Sequence, residues 1–325
     1  MPKNYLKIGF IGAGSIGSLF GGYLGTIGSE DYSIEIIFFG LKEHIDEIKR
    51  NGLKIHKEQK VTIVKNIRAY ENLETFNLVL EKNKNYQFDF MFLTTKTYDT
   101  GTALEQYKNL IDLSKRIVIL QNGIGNEEVV KSYCPTEKII RIVTSHGALL
   151  KEPGHVYHTG EGFIKVGLAF SNKVPSDLIL FRDLLNWSGL EAEIVEDIIQ
   201  SSWEKIFVNI GINALGAVTR LHNGGLLENE GLKHMMKGAV EEALKVARLK
   251  GIKLPDRDYL KLTYSVAEKT YNNQNSMLQD VLKGQVTEID SINGKIVKYA
   301  EELGISVPIN ELLTNLIKGL EKSYL

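Results

Sequence analysis

Residues 8–24 read IGFIGAGSIGSLFGGYL, and within them Gly12, Gly14 and Gly17 stand in G-x-G-x-x-G spacing. A compact apolar run, Leu6–Ile11, precedes the glycines and a helical pattern follows, so they occupy the turn from a buried strand into a helix. Each glycine then has its own task in holding a dinucleotide. Gly12 permits the tight turn, Gly14 lets backbone approach the pyrophosphate, and Gly17 lets helix and strand touch. Ser15 and Ile16 complete the turn, whose helix N-terminus presents N–H groups and the positive dipole end to an anion. Lys3 and Lys7 ahead of an apolar run have the outline of a secretory leader. Six glycines between Gly12 and Gly25 break that run, and no A-x-A cleavage pattern follows.

Outward from this turn, short β-like runs alternate with helical patterns, which specifies an α/β fold with a mostly parallel sheet. Strands are expected at Leu6–Ile11, Ile34–Phe39, Phe88–Thr94 and Arg116–Leu120. An added hairpin is expected from Leu53–His56 and Val61–Ile67, and further strands at Ile139–Ser145, His155–His158 and Phe163–Gly167, with a turn at Pro153-Gly154. Past Glu196 the texture becomes helical, with apolar spacing over Trp203–Thr219, Leu226–Leu249, Asp256–Tyr271 and Glu288–Leu303. The expected organisation is a doubly wound dinucleotide-binding domain over 1–195 and an all-helical domain over 196–325. With no long linker between them, the second is expected to pack on the first and leave a cleft.

At 325 residues, 43% hydrophobic and 24% charged, the chain has ordinary globular arithmetic. Lys+Arg 39 against Asp+Glu 40 leaves −1, which offers no footprint for nucleic acid or an acidic membrane. No run of about 18 apolar residues survives without polar interruption, so no spanning helix is expected. The single cysteine, Cys134, supplies neither an internal disulfide nor a cysteine-rich metal site, and a cytoplasmic protein without a metal is expected.

Two further patterns carry chemistry. In WEKIFVNIGIN, residues 203–213, Lys205, Asn209 and Asn213 recur at i, i+4 and i+8 on one face of an otherwise apolar helix. Such a stripe needs a polar partner, either a substrate or an internal hydrogen-bond network. A lysine there suits carbonyl reduction, because hydride arriving at carbon leaves an oxygen that needs a proton or a cation. Near the C-terminus, Glu288 stands at the expected start of a long helix, where the dipole favours a carboxylate; Asp280 and Asp290 read as solvated surface charges.

Taken together, these segments resemble the ketopantoate reductases (2-dehydropantoate 2-reductases). The likeness rests on the glycine turn, TKT at Thr95–Thr97, LQNGIGN at Leu120–Asn126, P-G-x-V-x-H-T-G at Pro153–Gly160, the Trp203–Asn213 pattern, SMLQD at Ser276–Asp280 and TEIDSING at Thr287–Gly294. The resemblance implies a Rossmann domain, a helical domain and NADPH-dependent reduction of ketopantoate to pantoate in pantothenate and coenzyme A biosynthesis. It further implies Lys205 as general acid, Glu288 as its catalytic companion, and Asn209, Asn213, Ser276 and Asn122 as substrate ligands. Lys96 and Asn122 would line the cofactor. The family commonly carries an arginine after the second strand for the 2′-phosphate; Gly40-Leu41 stands here, and Lys42 is the cation that could substitute. Many members also have proline where Ala214 follows Asn213.

Of the seven histidines, His155 and His158 fall on opposite faces of a strand, and His146 reads as a hydrogen-bonded structural residue. Two alternatives stay open on the residues alone: a reductase of another 2-oxo acid with the same architecture, and a protein that binds NADP(H) without chemistry. The expected partner is a small 2-oxo acid, with neither nucleic acid nor membrane, and the chain is expected to be a monomer or a homodimer.

Overall fold

The computed structural model describes residues 4–325, which divide into two compact units: residues 4–121 with 126–198, and residues 122–125 with 199–325. The larger unit holds twelve strands: β1 Asn4–Ile11, β2 Tyr32–Phe39, β3 Leu53–Lys57, β4 Lys60–Val64, β5 Ile67–Tyr70, β6 Phe88–Leu93, β7 Ser114–Ile119, β8 Ile139–Thr144, β9 Gly147–Glu152, β10 His155–Gly160, β11 Ile164–Leu168 and β12 Ala192–Ile194. Its helices are α1 Ser15–Gly25, α2 Lys42–Asn51, α3 Leu73–Lys82, α4 Thr100–Gln106, α5 Lys108–Asp112, α6 Asn126–Val130 and α7 Ser176–Trp187.

Eight strands form the main sheet in the order β12-β11-β8-β7-β6-β1-β2-β5. From β8 to β5 all neighbours are parallel, and β11 joins β8 antiparallel. Strand order reverses beside β1, between β2 and β6. The carboxyl ends of strands at such a reversal are where open α/β sheets take ligands. The parallel strands are buried on both faces, which is why they read as unbroken apolar runs. Phe10 of β1 stacks on Phe92 at 4.3 Å and meets Phe38 edge-on at 5.2 Å, tying three adjacent strands together.

A second sheet, β4-β3-β10-β9, covers α1. The approach is close because α1 has glycine at 22, where a Cβ would come within 2.9 Å of Leu53 and Ile55. The expected strand Val61–Ile67 is two strands here. It breaks at Lys65-Asn66, where the chain leaves β4 in the second sheet and enters β5 in the first; a β-branched run does not encode which sheet it joins.

The helical unit consists of α8 Ile198–Thr219, α9 Glu230–Leu249, α10 Tyr259–Lys269, α11 Ser276–Leu282, α12 Asn293–Leu303 and α13 Pro308–Glu321. Its core gathers Phe207, Ile210 and Ala214 of α8, Val240 and Ala243 of α9, Ile296 of α12 and Ile317 of α13. One expectation needs correction. The helix expected over Glu288–Leu303 starts at Asn293, after a 3-10 turn over Ile289–Ser291, because the Ser291 carbonyl accepts from Ile124 instead of continuing a helical ladder. Pro308 is the first residue of α13, where its missing N–H costs nothing. The strands β9 and β12 and the helix α7 were not anticipated: β12 is three residues long, and β9 begins on a glycine. Among the described residues no helix is long and apolar enough to cross a membrane.

His44 pins α2 inside the larger unit. Its Nδ1 accepts from Gly154 N at 2.9 Å, so the ring proton sits on Nε2, which lies 2.9 Å from Ser18 Oγ on α1. Ser18 Oγ in turn donates to Ala13 O. Burial pushes the imidazole down to about 4. Because the folded value lies below the unfolded one, its contribution is complete above about pH 6.5 and is lost as pH falls toward 4. Between pH 7 and pH 5 this residue alone is expected to remove about 2 kcal/mol of stability. Urea titrations at the two pH values should show a smaller acid loss in His44→Gln than in the parent chain, whatever the variant's absolute stability.

Candidate active site

The glycine turn is held by the backbone of β2 and by a side chain from the tip of β6. Gly12 N and Ala13 N both donate to Phe39 O of β2, at 3.0 and 3.1 Å, and Thr94 Oγ1 donates to Gly12 O at 2.6 Å from the tip of β6. Gly12 has φ +102°, and a Cβ there would come within 2.6 Å of Thr95 N. A Cβ on Gly17 would run into the Gly12 carbonyl and the Thr94 hydroxyl. Gly14 differs from both: it is exposed, and a Cβ on it would meet no protein atom within 4 Å. The α1 N-terminus that follows has neither a side-chain cap nor an acidic residue in its first turn.

This cradle fits the pyrophosphate of a nicotinamide dinucleotide. Open space lies over Gly14, and the uncapped N–H groups and the dipole end would face an anion seated there. Ser15 Oγ accepts from Leu150 N at 3.0 Å, so that hydroxyl also ties α1 to β9, and Ile16 packs against the core of the unit. Lys96 precedes the 3-10 turn after β6 and is half-buried. Lys42 is exposed at the start of α2.

The helical unit assembles the other group of residues. Lys205 Nζ, half-buried on α8, donates to Asn122 Oδ1 at 2.8 Å. Asn122 Nδ2 then donates to Glu288 Oε2 at 3.3 Å. One amide therefore bridges an ammonium and a carboxylate that is only 7% exposed. Unpaired, a buried carboxylate is costly; here its charge is offset by a cation one residue away.

The segment 122–125 reaches this position through two left-handed glycines, Gly123 at φ +79° and Gly125 at φ +82°. A Cβ at Gly123 would come within 2.5 Å of Ser291 O, and Ile124 N donates to that same carbonyl at 3.2 Å. The 3-10 turn after Glu288 and the Asn122 loop are thus clamped together, with Ser291 Oγ donating back to Glu288 O. Glu288 is held by this clamp rather than by a long helix dipole. Asp280, expected as a surface charge, is buried, whereas Asp290 is exposed and pairs with Lys318 at 2.6 Å.

Asn209 and Asn213 continue the Lys205 face of α8, half-buried and buried respectively. Ser276, expected as a substrate ligand, is an exposed first residue of α11. Its neighbour Asn275 is buried and was not singled out. Asn275 Oδ1 accepts from Leu278 N at 2.9 Å, while Nδ2 faces Gly216 of α8 with no acceptor. The signal for it was an asparagine in N-cap position ahead of a helical run. Cys134 is buried, and burial pushes its thiol up to about 11, which makes it a packing residue. His146, His158 and Tyr23 form a hydrogen-bonded chain with 2.8 Å links inside the larger unit.

Comparison with known proteins places this geometry. A family model described as ketopantoate reductase PanE/ApbA matches residues 8–169, and its C-terminal companion matches 197–321. The chain is 36% identical to a 2-dehydropantoate 2-reductase of Pyrococcus horikoshii over 97% of its own length and 98% of the relative's. It is 34% identical to one from Archaeoglobus fulgidus at the same coverages. Among solved structures, a PanE/ApbA family ketopantoate reductase from Ralstonia eutropha superposes with TM-score 0.86 at 28% identity, covering 98% of this chain and 99% of that one. A D-mandelate dehydrogenase solved with NADH and anilino(oxo)acetate gives 0.85 at 28% identity, with the same coverages.

The glycines should separate binding from folding. Gly14→Ala is expected to leave thermal stability unchanged and to weaken dinucleotide binding by about tenfold or more, as backbone contact with the pyrophosphate is lost. Gly17→Ala should lower the melting temperature, since helix and strand must move apart. Calorimetry with a dinucleotide titration distinguishes the two.

Proposed function

The chain belongs to the ketopantoate reductase family and is an oxidoreductase, and from that premise we propose that it reduces 2-dehydropantoate to pantoate at the expense of NADPH, with Lys205 as general acid. The observation that carries this reading is the Lys205–Asn122–Glu288 array, which holds a proton donor at a fixed point. The resemblance assigns the dinucleotide to Gly12, Gly14, Ser15, Ile16 and Gly17, with Lys96 nearer the ribose and Lys42 toward the 2′-phosphate. When bound, it supplies the hydride that adds to the keto carbon.

The protein's share of the chemistry is to receive the charge that moves onto the carbonyl oxygen. Lys205 Nζ first polarises that oxygen as a cation and then transfers a proton to it, leaving a neutral amine and the alcohol. Asn122 spends its acceptor on the ammonium and a donor on Glu288, so the lysine's direction is set before substrate arrives. Glu288 balances the lysine's charge and supplies a carboxylate oxygen for the substrate's hydroxyl. Asn209, Asn213 and Ser276 are assigned to the remaining polar groups of the substrate, and the buried donor of Asn275 is a further candidate for its carboxylate.

The structural likeness to D-mandelate dehydrogenase favours one second reading: the same site acting on a different 2-oxo acid. Turnover of ketopantoate against an aromatic 2-oxo acid, with NADPH and then NADH, separates the two. For the mechanism, Lys205→Ala is expected to lower kcat by about 10²- to 10⁴-fold, the usual worth of a positioned general acid, while dinucleotide affinity stays unchanged. Asn122→Ala should lower kcat by about tenfold or more, because the lysine loses its orientation. Full turnover in Lys205→Ala would remove Lys205 from the reaction.

A further inference from the structure

At the tip of β2 the chain passes through Gly40 and Leu41 into α2, and Gly40 N donates to Tyr70 O at the end of β5. Two parallel strands therefore end side by side, with Lys42 just beyond one and Glu71 just beyond the other. Lys42 Nζ lies 2.9 Å from Asp46 Oδ2, one helical turn on, and 3.8 Å from Glu71 Oε2. Glu43 adds another carboxylate in the first turn of α2. Arg68, further back on β5, is committed to Glu35 at 2.9 Å. One ammonium thus faces two carboxylates at the edge where an adenosine ribose rests in this class of sheet. Asp46 and Glu71 push the Lys42 ammonium up, and Lys42 pushes the Asp46 carboxyl down, so the pair stays ionised across neutral pH.

We infer that Asp46 and Glu71 compete with the cofactor's 2′-phosphate for Lys42, so that these two carboxylates set the balance between NADPH and NADH. The inference rests on the dinucleotide site proposed above. A 2′-phosphate must draw Lys42 away from Asp46 and sit beside the Glu71 charge. A 2′-hydroxyl is neutral and can donate to a carboxylate, so NADH meets no such opposition. The lysine's attraction for the phosphate and the carboxylates' repulsion largely cancel, and the chain accepts both dinucleotides.

Fluorescence or calorimetric titration of the full chain at low salt tests this without any turnover, using NADPH, NADH, adenosine 2′,5′-bisphosphate and 5′-AMP as probes. The parent chain is expected to bind NADPH and NADH within about tenfold of each other, as opposing exposed charges are individually weak. Asp46→Asn and Glu71→Gln should each tighten NADPH and adenosine 2′,5′-bisphosphate by about two- to fivefold and leave NADH and AMP unchanged. Lys42→Gln should weaken the two 2′-phosphorylated probes alone. All three side chains are exposed, and circular dichroism confirms that the variants fold. Unmoved NADPH-to-NADH ratios in both carboxamide variants, or a parent preference for NADPH of about a hundredfold or more, overturn the inference while the dinucleotide site stands. If neither dinucleotide binds the parent chain, the site itself falls and the inference falls with it.

Discussion

At the end of β1 three backbone segments converge with no room for a side chain between them. Gly12 lies against Thr94 and Thr95 from the tip of β6, its N–H reaches the Phe39 carbonyl at the tip of β2, and Gly17 brings the first turn of α1 down onto the carbonyl of Gly12 itself. The parallel register of the central strands, the direction in which α1 leaves the sheet and the exposure of Gly14 all depend on that contact. A Cβ at 12 or 17 forces helix and strand apart, and with them the N–H groups that the turn directs outward. The glycines are therefore a packing requirement before they are a binding motif. Of the three, Gly14 is the position that packing leaves open.

The helical unit solves a different problem. Its core is apolar, yet Glu288 is buried in it and Lys205 half-buried. Desolvating either ion alone costs several kcal/mol, so neither would persist without the other and without hydrogen bonds to complete it. The Asn122 amide supplies those bonds to both, and it is brought there by two left-handed glycines clamped on Ser291. This arrangement is stiffer than a direct ion pair, since a planar amide fixes both partners in orientation. For a proton donor, orientation decides how often the transfer geometry is met.

Much of this was legible in the chain itself. The glycine spacing between an apolar run and a helical pattern marked the turn from β1 into α1, and the i, i+4, i+8 recurrence placed Lys205, Asn209 and Asn213 on one face of α8. What failed to read locally failed for local reasons. The stretch over residues 61–67 is uniformly β-branched or polar, and nothing in it announces a change of sheet at Lys65-Asn66. Asp280 is buried and Ser276 exposed although they stand at i and i+4 on one face of α11, a difference along the helix that its periodicity does not report.

The sequence by itself determined the periods: alternating buried strands and helices, the turn that only glycine can make, and a lysine among apolar residues that must find a polar partner. Those properties belong to a few consecutive residues and to the geometry of one strand or one helix. Only the tertiary structure decided that the partner is an amide from residue 122, that a carboxylate from residue 288 stands behind it, and that Lys42 answers to both Asp46 and Glu71. Pairings between distant parts of the chain, such as Asn122 with Glu288 or Lys42 with Glu71, are set by how elements pack, and packing depends on the shapes of all the side chains at once rather than on the pattern along any one segment.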